Sequence, residues 1–188
     1  MSFFQRSIQV FNMFRFSATS LADIRRNADW MCTLVNLASL VFAVVEGLFY
    51  NNVNQALLWG VPLFLLSLTV SRFNSGQSLT MYVNALTLTG MGALHVHLAH
   101  GLTEFHFSFF MLLPVLLVYR DVRPLVAMGG FIIIQHIAFN ALQQSGFDCY
   151  VFRGPFSGLP AITLHGFYVA IEVLILSTIA LSLKQHAV

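Results

Sequence analysis

The chain has 188 residues, 57% of them hydrophobic and only 9% charged, with a mean hydropathy of +0.78. A soluble domain carries about 25% charged residues, so a soluble globular domain and a disordered chain are excluded. The net charge of +2 is too small and too scattered for a phosphate-tracking surface, which excludes a nucleic-acid binder. What remains is an all-α polytopic membrane protein.

Taken in chain order, residues 1–28 read as a separate unit. Phe4, Ile8, Phe11 and Phe14 recur at helical spacing with Gln5, Arg6, Gln9 and Asn12 opposite, which predicts an amphipathic helix in the inner membrane interface. Arg6, Gln9, Asn12 and Arg15 interrupt the apolar run and no small-residue cleavage site follows, so this is not a signal peptide.

Residues 29–188 read as six transmembrane helices. A span needs about 20 mostly apolar residues. The segments are Asp29–Tyr50, Ala56–Phe73, Leu79–His100, Thr103–Tyr119, Pro124–Gln143 and Ala161–Leu183. Barrel strands would alternate apolar and polar residues; these runs are continuous.

Arg6, Arg15, Arg25, Arg26, Arg72, Arg120, Arg123 and Lys184 fall on one side of the six-span arrangement and only Arg153 on the other. The positive-inside rule then predicts a bacterial inner (cytoplasmic) membrane protein with both termini cytoplasmic. The long outer loop holds Cys149, and Cys32 lies near the inner end of the first span. The two are too far apart to pair within one subunit.

Seven histidines accompany seven acids and nine bases in a chain that should avoid ionisable groups. Six of them lie in the outer half of the helices: His95, His97, His100, His106, His136 and His165, together with Glu46 and Glu104. The second span adds no ionisable group before Arg72 and is expected to be peripheral. His97 and His100 share a helix face, which Glu104 extends across the turn; His95 lies about 200° away from His97. A single histidine near a helix end is more often a hydrogen-bonded side chain than a ligand, the reading taken for His95.

Four imidazoles at one depth on four helices, His97, His106, His136 and His165, favour a bound cofactor. Glu46 and Glu104 are candidates to orient imidazole N–H groups. Haem b held by axial imidazoles is the leading expectation, with Gly90, Gly92, Gly129 and Gly130 allowing close helix approach and Arg153 placed for the propionates. A bare Cu, Zn or Fe ion on the same histidines, with Glu104, is the alternative. Neither spacing nor depth chooses between them. No Walker loop, nucleotide fingerprint or GxSxG is present. Catalysis is therefore not expected of this chain itself, although a small cytochrome-b-like quinol oxidoreductase or a metal-dependent membrane hydrolase stays open.

The run "HLAHGLTEFHFSFFMLLPVLLVYRDVRP", followed by "QHIAFN" and "LHGFYVAIE", resembles the multi-span input domain that precedes diguanylate cyclase or chemotaxis-receptor modules in bacteria. The likeness covers roughly residues 79–175 and rests on His97, Gly101, Glu104, His106, Phe107, Tyr119, Asp121, Arg123, Pro124, His136 and His165. His100 stands where that family has a small residue, Val122 where it has Trp, and Gln135 where it has the first of two histidines. The last departure sets aside a paired-ligand role there. The resemblance implies a sensory input domain, homodimeric and coupled to a cytoplasmic output domain, and links only loosely to haem. Few residues follow the last span, which reads as a sensor portion excised from a longer protein. The expectation is thus a haem-binding membrane sensor of redox state or a small ligand.

Overall fold

A computed structural model describes residues 20–154 and 157–185. Every regular element among them is helical. In chain order they are α1 (Leu21–Tyr50), α2 (Val53–Phe73), α3 (Ser78–Leu98), a 3₁₀ turn (Thr103–His106), α4 (Phe107–Leu112), a 3₁₀ segment (Leu113–Tyr119), α5 (Val122–Gln144) and α6 (Gly158–Gln185).

Local chemistry sets the ends. The Ser20 hydroxyl accepts from the Asp23 N–H and caps α1 at its start. Asn51 closes α1 with a left-handed backbone, φ 58°. Gly47 lets the chain fold back tightly, because a Cβ there would stand 2.9 Å from the Val53 Cα. The Asp121 carboxylate caps α5 by accepting from the Arg123 N–H at 3.1 Å. The helix α1 starts at Leu21, so the expected boundary between residues 28 and 29 falls inside one continuous helix. The segment predicted to be an amphipathic helix lies largely in residues 1–19, outside the described residues.

The helices α1, α2, α5 and α6 are long and apolar enough to cross a membrane. At 21 residues α3 is as long as α2, but Asn84, His95 and His97 lower its hydropathy. It can carry them because it is the most enclosed helix, packed by α1, α2, α4 and α5. The fourth apolar segment is only 17 residues, Thr103–Tyr119. Its two 3₁₀ stretches rise about 2.0 Å per residue against about 1.5 Å in α4, so it reaches about 31 Å. That is near the thickness of a hydrocarbon core, about 30 Å.

Hydrocarbon gives no hydrophobic drive between helices, so small side chains and hydrogen bonds hold a bundle together. Ala28, Ala43, Ala56, Ser67, Ser71 and Ala85 are all fully buried, chiefly where α1, α2 and α3 meet. Among them runs a polar network. The Tyr119 hydroxyl donates to Asp29 Oδ1 at 2.7 Å and accepts from Asn84 Nδ2 at 2.9 Å. Ser67 donates to Asn84 Oδ1 at 2.7 Å, and Asn36 Nδ2 donates to Thr87 at 3.2 Å. The other Asp29 oxygen accepts from the Gly76 N–H at 2.6 Å and from Ser75, which pins the α2–α3 loop. So α2 is not merely peripheral: Trp59 and Leu58 face outward, while Ser67 and Ser71 join the network.

At the same end as Asp29, Asp121 forms a clamp. Arg123 donates to both of its oxygens, at 3.0 and 2.7 Å, and Arg25 reaches it at 3.4 Å. The charge of Lys184 also acts on Asp121. Arg25, Arg123 and Lys184, from α1, α5 and α6, therefore gather at one end of the bundle.

Candidate functional site

The opposite end holds the six described histidines, and the structure divides them into separate groups. Three rings come together. His106 closes the 3₁₀ turn before α4, His136 lies on α5 and His165 on α6. Their centroids are 5.6 Å apart for His106–His136, 5.0 Å for His106–His165 and 5.6 Å for His136–His165.

One local device orients all three. Each ring turns its Nδ1 back to the carbonyl four residues earlier: His106 to Leu102 at 3.3 Å, His136 to Ile132 at 2.9 Å and His165 to Ala161 at 2.8 Å. A carbonyl only accepts, so each Nδ1 carries the proton and each Nε2 keeps its lone pair. His106 and His136 are 4% and 2% exposed, and their Nε2 atoms are buried without a hydrogen-bond partner. The backbone of Val151 lies near the His106 ring without reaching hydrogen-bond geometry. Buried acceptors normally find a donor, so two unmatched lone pairs beside a third imidazole are unusual.

Aromatic rings wall the group. Phe152 stacks on His106 at 5.8 Å and 5°, and lies 5.9 and 5.4 Å from His136 and His165. Phe109 lies 5.3 Å from His136. It has room because a Cβ on Gly92 would come within 2.8 Å of its ring.

Phe152 belongs to the loop between α5 and α6, which is tied down at several points. Gln143 Oε1 accepts from the N–H groups of Val151 and Phe152 at 2.9 and 3.2 Å, and its Nε2 donates to the Phe152 carbonyl at 2.7 Å. Gly101, with φ +74°, touches the same stretch; a Cβ there would stand 2.7 Å from the Phe152 carbonyl carbon.

His97 and His100 are not part of this group. His97 Nδ1 accepts from the Tyr150 N–H at 3.2 Å, so its Nε2 is protonated and donates to Gln55 Oε1 at 2.8 Å. Nδ1 thus holds the α5–α6 loop, and Nε2 ties α3 to α2. His100 packs edge-on against Tyr150 at 5.0 Å and has φ 54°. That left-handed backbone is one that favours glycine. His95 is buried and its Nδ1–H donates to Glu46 at 2.7 Å, as the hydrogen-bonded reading anticipated. Glu46 therefore orients His95 rather than a ring of the triad. Glu104 and Arg153 are exposed, and no hydrogen bond or ion pair joins either to the three rings. Of the glycines expected to bring helices together, Gly90 meets Leu63, Gly92 meets Phe109 and Gly129 meets Val173, whereas Gly130 faces open space.

Among the described residues, no group of three or more His, Cys, Asp or Glu side chains is placed to hold a metal ion as it stands. Three imidazoles on one ion, at about 2.0 Å per metal–nitrogen bond and near-tetrahedral angles, would place ring centroids about 5 Å apart. The centroid spacing of the three rings is close to that value, although the rings as they stand do not form an ion-holding set. Both the Phe152 lid and the Asp29–Tyr119 network escape the sequence, which shows depth and helical phase but not loop register. No family model matches this chain, and neither a curated protein nor a solved structure matches it.

Proposed function

We propose that this chain is a six-span membrane sensory input domain that holds a transition-metal ion on His106, His136 and His165. The observation that carries the reading is the set of three Nδ1-protonated imidazoles within 5.6 Å of one another, two of them with buried Nε2 atoms lacking partners. Nitrogen donors of this kind suit Zn, Cu or Fe.

The same residues bear on haem b. Its porphyrin would need the space that Phe152 fills against all three rings. The ion therefore fits this packing better than the macrocycle, and Arg153 has no propionate role in the ion reading.

Six crossings are supported by the reach of the Thr103–Tyr119 segment and the enclosed position of α3. Cytoplasmic placement of the basic end follows the positive-inside rule. His165 sits near the start of α6, whose 28 residues run about 42 Å to the basic end. A change at the triad thus acts directly on the helix that reaches the cytoplasmic side, where an output domain would read it. In this reading the chain senses and does not catalyse.

The test is an ion-dependent change in the distance between spin labels at the basic ends of α1 and α6, in the full chain in lipid. The proposal expects a shift that His165→Ala abolishes. An unchanged distance on ion binding would remove the sensory reading, and a Soret band at one haem per chain would replace the ion by haem b.

A further inference from the structure

We infer that the metal the triad selects is monovalent copper, Cu⁺, in preference to a divalent ion. The inference rests on the three-histidine reading above and adds the identity of its ligand.

The first argument is charge. The donor set is three neutral imidazoles, their tautomers fixed by the carbonyls of Leu102, Ile132 and Ala161. No hydrogen bond or ion pair among the described residues brings a carboxylate to these rings; Glu46 is paired with His95, and Glu104 is exposed. Taking an ion out of water costs energy that rises with the square of its charge, so an uncompensated divalent ion costs about four times as much as a monovalent one of similar size. With His106 and His136 buried, no carboxylate offsets the difference.

Coordination number gives the second argument. Zinc in proteins is almost always four-coordinate, with a fourth protein donor or a water. Here the side facing the outer loop is the ring of Phe152, which touches all three histidines and offers no lone pair. Its position is set by Gln143 and by the close approach of Gly101. A filled-shell Cu⁺ ion accepts three ligands in a trigonal arrangement, so it loses nothing where zinc lacks a ligand.

The experiment uses the full chain in lipid nanodiscs, anaerobic and with a reductant. It is titrated with Cu⁺ against a chromophoric Cu⁺ chelator, and separately with Zn²⁺ against a zinc chelator. The expected result is one Cu⁺ per chain, held more tightly than Zn²⁺, with an absorption-edge spectrum of three nitrogen neighbours. Phe152→Ala opens the fourth position and should narrow the preference by raising Zn²⁺ affinity. Wild-type binding of Zn²⁺ as tight as that of Cu⁺ would overturn the inference while leaving a three-histidine metal site standing. Binding of neither ion, or binding that His136→Ala does not reduce, would overturn the site itself.

Discussion

The buried Nε2 of His136 has no partner, and an unmatched buried acceptor costs about 1–3 kcal/mol. Function and stability should therefore separate at this residue. His136→Leu is expected to abolish ion binding while leaving the metal-free thermal midpoint in detergent unchanged or higher. A large fall in that midpoint would mean that the ring has a structural partner. Tyr119 is the reverse case. Its hydroxyl joins Asp29 to Asn84, and Tyr119→Phe strands a carboxylate oxygen and an amide N–H in the core. That change should lower stability by about 1–3 kcal/mol without altering ion stoichiometry, measured by thermal unfolding and elemental analysis. At this scale the sequence marks the right residue types but not their partners. Depth along the helices places His97 beside His106, His136 and His165. Only the fold shows that the Tyr150 N–H occupies His97 Nδ1 and takes it out of the group. Ser67, Thr87 and Asn84 are equally silent in sequence, because such side chains can bond back to their own helix instead of crossing to another.

Helices and loops are fixed by a few contacts at their ends. Hydrogen bonds from Arg123 hold the Asp121 carboxyl down at about 2, from an ordinary 3.8. A carboxyl whose folded value is lowered adds stability that is complete above the ordinary value and disappears as pH falls through about 2. The bundle should accordingly loosen across that acid window, and Asp121→Asn should remove this part of the pH dependence. Arg123 is 46% exposed, so after solvent screening the effect is expected to be about 1 kcal/mol in pH-dependent unfolding. At the other end, Gly101→Ala meets both a left-handed backbone and the Phe152 main chain. It should displace the lid, and hydrogen exchange of the Val151 and Phe152 amides should speed up because their bonds to Gln143 are lost. Unchanged exchange would show that Gly101 does not position the loop. The helical segments themselves are legible as continuous apolar runs. The 3₁₀ stretches of Thr103–Tyr119 are not, because apolar content sets neither rise per residue nor helix type.

Across the whole molecule, three of the sorted bases, Arg25, Arg123 and Lys184, lie with Asp121 at one end, and the six described histidines lie toward the other. The all-helical fold and its apolar helices follow from composition together with the continuous apolar runs. Assembly of the site does not, because it depends on α5 and α6 packing closely at Gly129 and on the loop between them folding back over the rings. The central claim is that His106, His136 and His165 form one ion-binding group and that His97 stands outside it. Metal content per chain in purified wild type and in four single alanine variants tests this most directly. The account predicts about one ion per chain in wild type and in His97→Ala, and loss of the ion in His106→Ala, His136→Ala and His165→Ala. Ion loss in His97→Ala equal to that in the other three, or full retention in all four, would contradict it.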